Sequence, residues 1–124
     1  MASRIKVFFD GGARPNPGRL EAAVVAAGQV HLFRDLGQGS NTVAEWLALI
    51  HALRIGRALG RDFVLLGDAV HVIGPAQGTV KPRGVAAGHL ERFRAEAGAA
   101  VPAIRYVRRA QNLAGIALAR LHPR

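Results

Sequence analysis

Cysteine is absent from the 124 residues. That excludes disulfides and thiolate-held metals and agrees with a reducing compartment. Lysine is nearly absent too, with Lys6 and Lys81 the only two. No apolar stretch reaches signal-peptide or membrane-spanning length: the opening apolar segment, through Ile5-Lys6-Val7-Phe8-Phe9, meets Asp10 first. A cytoplasmic, monomeric protein with no membrane contact is therefore expected. Acids are scarce, eight against 17 basic residues, for a net charge of +9. Such an excess draws phosphate backbones and makes binding salt-dependent. Its bland counterpart is an arginine-rich composition inherited from a GC-rich genome. Half the residues are apolar, which excludes a disordered chain and supports one domain over 1–124.

Ile5–Phe9 is rich in β-branched and aromatic residues and predicts a strand that stops at Asp10-Gly11-Gly12. A rigid turn follows in Ala13-Arg14-Pro15-Asn16-Pro17-Gly18. Residues 20–27 and 30–36 read as two more strands joined at Gly28-Gln29. Ser40-Asn41-Thr42 are cap formers, and Glu45, three after Thr42, predicts a capping box opening a helix that runs to Gly60. Phe63-Val64-Leu65-Leu66 reads as a buried strand ending at Gly67-Asp68. A short helix over 69–73, a Gly/Pro loop over 74–84 and a helix over 85–97 come next. A fifth strand over 104–108 and a last helix over 113–121 complete an α/β chain with a mixed sheet and helices packed on it.

The few acids are placed with a pattern. Asp10 and Asp68 each stand at a predicted strand end, where ligands collect in open α/β sheets. Glu45 stands at the start of the first long helix. If the first and fourth strands are neighbours, the three carboxylates converge. Converging carboxylates repel unless a cation sits among them. Hard divalent ions such as Mg²⁺ accept such oxygens, and a pair of them can activate water and stabilise the leaving oxygen of a phosphodiester. Taken singly, Asp10 as a turn residue, Glu45 as a capping partner and Asp68 as a strand terminator are the simpler readings.

The surrounding residues add a resemblance. Phe8-Phe9-Asp10-Gly11-Gly12-Ala13-Arg14-Pro15-Asn16-Pro17-Gly18, Ser40-Asn41-Thr42-Val43-Ala44-Glu45-Trp46-Leu47-Ala48-Leu49 and Leu65-Leu66-Gly67-Asp68-Ala69 resemble, in order and spacing, three motifs of type 1 ribonucleases H. The resemblance implies a ribonuclease H-like fold with a five-stranded mixed sheet and an endonuclease that cuts the RNA strand of RNA–DNA hybrids with Mg²⁺ or Mn²⁺. It makes Asp10, Glu45 and Asp68 metal ligands and catalytic residues. It puts Asn16 and Asn41 in the hybrid's minor groove and Ser40 and Thr42 on a DNA-strand phosphate. Lys81 and Arg83 are candidates for the DNA strand, with a solvated loop as the equal alternative.

The family's fourth motif is broken. Arg109-Ala110-Gln111-Asn112-Leu113-Ala114-Gly115-Ile116 supplies the arginine and the asparagine expected to face nucleic acid, but Ile116 stands where the fourth acid belongs. Asn112 offers a neutral oxygen one turn earlier, and His122 is a second stand-in. Weakened hydrolysis is expected, with a catalytically inactive hybrid- or duplex-binding protein as the alternative. The histidines 31, 51, 71, 89 and 122 lack metal-ligand spacing and read as surface residues. Trp46 and Leu47 read as core.

Overall fold

The computed structural model describes residues 4–122; residues 1–3 and 123–124 lie outside the described residues. The order is β1 (Ile5–Arg14), β2 (Gly18–Ala26), β3 (Gln29–Phe33), β4 (Gln38–Gly39), α1 (Asn41–Ala58), β5 (Phe63–Gly67), α2 (Val70–Gln77), α3 (Ala86–Ala97), β6 (Ala103–Tyr106), a 3₁₀ turn (Arg109–Gln111) and α4 (Leu113–Ala119). One mixed sheet runs β3-β2-β1-β5-β6, with the two-residue β4 paired to β2. The meander β1-β2-β3 is antiparallel, whereas β5 lies parallel to β1 and β6 parallel to β5. The expected neighbours, the first strand and Phe63–Gly67, do pair, with Val7 opposite Leu65 and Phe8 opposite Leu66.

Several local expectations are corrected. The five expected strands form the continuous path, and the two-residue β4 is an addition too short to leave a period in the sequence. β1 does not stop at Asp10-Gly11-Gly12 but continues to Arg14, so Asp10 sits inside the strand opposite Ala23. The glycines are there for close approach and not for a turn: a Cβ on Gly11 would collide with the carbonyl oxygen of Ala44 in α1. The β2–β3 turn falls at Ala27-Gly28, whose φ angles are 50° and 75°. α2 runs through Pro75 to Gln77 and ends at left-handed Gly78, which shortens the predicted loop. No capping box forms. Ser40 is the N-cap, its Oγ accepting the Val43 N–H at 3.4 Å, which places Glu45 beyond the first turn and free for other work.

Two faces of the sheet are covered unequally. Against one face α1 and α3 bury Trp46, Leu49, Leu53, Leu90 and Phe93 over Val7, Phe9, Ala22 and Val24. Each such large side chain contributes roughly 1.5–3 kcal/mol. Arg54 ties the two helices with a paired contact to Glu96, 2.6 Å to each oxygen. The opposite face receives only short α4, which sets Ala114 and Leu118 on Ala23 and Val25. So small an apolar contact is reinforced by Asn112, which is fully buried. Its Nδ2 donates to the Phe9 carbonyl at 3.0 Å and its Oδ1 accepts the Ala114 N–H at 3.1 Å, capping α4 and pinning it to β1 beside Asp10.

Asn112→Ala strands both of those buried backbone groups. It should lower the unfolding free energy by roughly 2–4 kcal/mol, read as a shifted urea midpoint at unchanged m.

Candidate active site

The site lies in a notch made by unequal strand lengths. β5 pairs with β1 only through Ile5–Phe8, so the rest of β1 has an open edge on that side. The first turn of α1 enters there over Gly11. Asn41 Oδ1 accepts the Ala13 N–H at 2.7 Å, and the Asn41 N–H donates to Asn16 Oδ1 at 3.1 Å. Asp10 comes from mid-β1, Glu45 from α1 and Asp68 from the residue after β5. All three line one open cavity of about 700 Å³, together with Arg109 and Ile116.

The carboxylates feel one another. Burial, then the Asp68 charge, pushes Asp10 up to about 6, against opposing pulls from Arg109 and the Gly11 N–H. Burial, then Asp10 and Asp68, pushes Glu45 up to about 8. Glu45 Oε2 is buried without a hydrogen-bond partner; His71 Nε2 approaches to 2.8 Å but outside hydrogen-bonding alignment. Arg109 Nε stands 3.8 Å from Asp68 Oδ2 on an almost fully exposed side chain.

All-oxygen donors, mutual repulsion and an orphaned buried oxygen fit a hard divalent cation. The donors are not drawn into a cage: among the described residues no three acidic or histidine side chains close tightly enough to enclose an ion. Asp68 leans toward Arg109 and Glu45 toward His71.

The other sequence candidates divide. Asn16 and Asn41 are brought together at the notch, and Ser40 and Thr42 stand at the adjacent N-terminus of α1, with Thr42 Oγ1 3.4 Å from His71 Nε2. Ile116, 38% exposed, lies on the cavity rim. Gly115 brings α4 so near that a Cβ on it would touch Asp10 Oδ2 at 3.5 Å. Asn112 is a correction: buried, with both side-chain groups committed to backbone, it faces neither nucleic acid nor a metal. His122 is corrected as a stand-in for the fourth acid, because its Nε2 lies 2.6 Å from Glu21 Oε2. Lys81 and Arg83 are exposed on the loop before α3 and do not line the carboxylate cavity.

Two contributors escaped the sequence reading. Glu21, 4% exposed, lines the cavity from β2. Its only sequence signal is the register that a two-strand antiparallel hairpin would impose. His71 follows Asp68 by three residues, a spacing that puts it one helical turn away.

No family model and no curated protein matches the chain. Solved structures do. The RNase H1 of the halophilic archaeon Halobacterium salinarum NRC-1 superposes with a TM-score of 0.77 at 29% identity, over 94% of each chain. The chain has the ribonuclease H fold. The N-terminal RNase H domain of a Mycobacterium tuberculosis protein, solved as a fusion with maltose-binding protein, gives 0.72 at 27% identity over 94% of this chain and 95% of that one. LC11-RNase H1, isolated from compost and solved in complex with an RNA/DNA hybrid, gives 0.71 at 24% identity over 89% of each.

An acid whose pKa is higher folded than unfolded favours folding when protonated. In metal-free protein the Asp10 and Glu45 contributions are therefore retained at low pH and lost as pH rises, from about 4 to 6 for Asp10 and from about 4.5 to 8 for Glu45. Asp10→Asn should melt a few degrees above wild type at pH 8 in EDTA, with the gap closing toward pH 4. Thermal melts followed by circular dichroism across that range check this.

Proposed function

We propose that this protein is a metal-dependent endonuclease that cuts the RNA strand of RNA–DNA hybrids, with hydrolysis slowed by Ile116. The observation that carries the reading is the convergence of Asp10, Glu45 and Asp68 in one open cavity of a strongly basic protein. The ribonuclease H fold, and a fold neighbour solved in complex with an RNA/DNA hybrid, support it. The cysteine-free composition supports a cytoplasmic setting.

Asp10, Glu45 and Asp68 would hold Mg²⁺ or Mn²⁺, which when bound supplies water activation and stabilisation of the leaving oxygen. Burial and mutual repulsion favour a proton within this group of carboxylates before any ion binds, so metal affinity would rise with pH. Asn16 and Asn41, tied side chain to backbone, present amides where a minor groove displays 2′-hydroxyls, which separate RNA from DNA. Ser40 and Thr42 stand close by for a phosphate of the uncut strand. Arg109, exposed beside Asp68, is placed to meet backbone phosphate.

Ile116 brings a hydrocarbon to the rim where an oxygen ligand would complete the set. An inactive hybrid-binding protein is the second reading, favoured by that residue.

End-labelled hybrid in Mg²⁺ and in Mn²⁺ decides between them. Cutting that Asp10→Asn abolishes supports the nuclease, and Ile116→Asp should then raise the rate by roughly tenfold or more. Silence from wild type and from Ile116→Asp, with hybrid still bound, selects the binding protein.

A further inference from the structure

Strand register extends the site in a direction that the carboxylates alone do not indicate. β1 and β2 pair Asp10 with Ala23, Gly12 with Glu21 and Arg14 with Arg19. Directly opposite residues point to the same face of a sheet, as do residues two apart on one strand. Asp10, Gly12 and Arg14 therefore share a face with Ala23, Glu21 and Arg19. It is the α4 face, since Ala23 packs against Ala114 and Leu118. Beyond its last turn nothing of α4 covers the sheet, and Arg14, Arg19 and Arg34 lie exposed there. They line a second open cavity of about 490 Å³ that has Arg14, Pro15 and Glu21 in common with the carboxylate cavity.

The arrangement is unfavourable for an isolated protein. Arg14 and Arg19 sit directly across a strand pair, where like charges destabilise. Among the described residues neither has an acidic partner within ion-pair distance. The only acid lining that cavity, Glu21, is nearly buried. Its charge is already met by His122 Nε2 at 2.6 Å and Arg34 Nε at 3.9 Å. Neighbouring guanidiniums without counter-charge, on a sheet face that leads to the carboxylate cavity, suit a phosphate backbone.

We infer that the strand held at Asp10, Glu45 and Asp68 continues over this outer strip of the sheet, where Arg14 and Arg19 hold its backbone phosphates. The inference rests on the proposed nuclease reading and adds the path by which the cut strand leaves the cavity. Four strand residues separate Asp10 from Arg14, about 13 Å, or roughly four nucleotides of duplex axis. The contacts lie with phosphate and not with base edges, so they carry affinity without sequence preference.

The test is equilibrium binding in EDTA, where no cutting occurs, to an RNA–DNA hybrid and to a DNA duplex of the same sequence across a salt series. Each neutralised phosphate contributes nearly one unit of salt slope. The double variant Arg14→Ala/Arg19→Ala should lose about two units of slope and roughly 10- to 100-fold in affinity at low salt. Arg14→Lys/Arg19→Lys should recover most of both, and unchanged melting curves show that the variants fold. Arg61→Ala/Arg92→Ala, an equal loss of charge elsewhere, should keep the wild-type slope. A wild-type slope in the alanine pair, or an equal loss in the Arg61/Arg92 pair, overturns the strip. Wild type that binds the DNA duplex but not the hybrid overturns the hybrid reading, while the slopes still judge the strip. Binding to neither overturns both.

Discussion

The pressure of α1 on the bare backbone of β1 is the constraint from which the site follows. Gly11 has no side chain, so the Ala44 carbonyl rests directly on the strand. The next residue along the helix is Glu45, which that contact sets beside Asp10. The same approach is possible only because β5 ends early and leaves the β1 edge free past Phe8. Asp68, the first residue after β5, falls into the space that this early ending creates. Strand length, a missing Cβ and a helix entry angle thus gather three acids from distant parts of the chain.

Holding them there works against the free energy of the metal-free fold. Burial and mutual repulsion raise Asp10 and Glu45 well above ordinary carboxyl values, and Arg109, on the solvent side, offsets part of this. The strain is carried by the α1–α3 face, where Trp46, Phe93 and their neighbours are buried away from the notch. A divalent ion among the three would relieve that repulsion.

Much of this was legible in the sequence. The meander, the long helix ending at Gly60 and the buried strand before Asp68 all follow from period and punctuation, and the convergence of the three acids follows from the pairing of the first strand with the one before Asp68. The errors share a cause. Asp10-Gly11-Gly12 looked like a strand end because glycine more often marks a turn than a close approach between backbones. Glu45 looked like a capping partner because Thr42-x-x-Glu45 fits the local rule, whereas docking against β1 moved the cap to Ser40 and released the glutamate. Asn112 looked like a surface ligand, since nothing local shows that its amide must satisfy the Phe9 carbonyl 103 residues away. Glu21 and His122, 101 residues apart, meet only once the sheet and α4 are assembled.

Short α4 is fastened at both ends by polar contacts, Asn112 to β1 at its head and His122 to Glu21 just past its tail. Between these anchors its inner side packs through Ala114 and Leu118, while Ile116 stands at the cavity rim outside that apolar cluster. A residue so placed contributes less to the architecture than Ala114 or Leu118. A change at position 116 would therefore alter the rim of the cavity before it altered the fold.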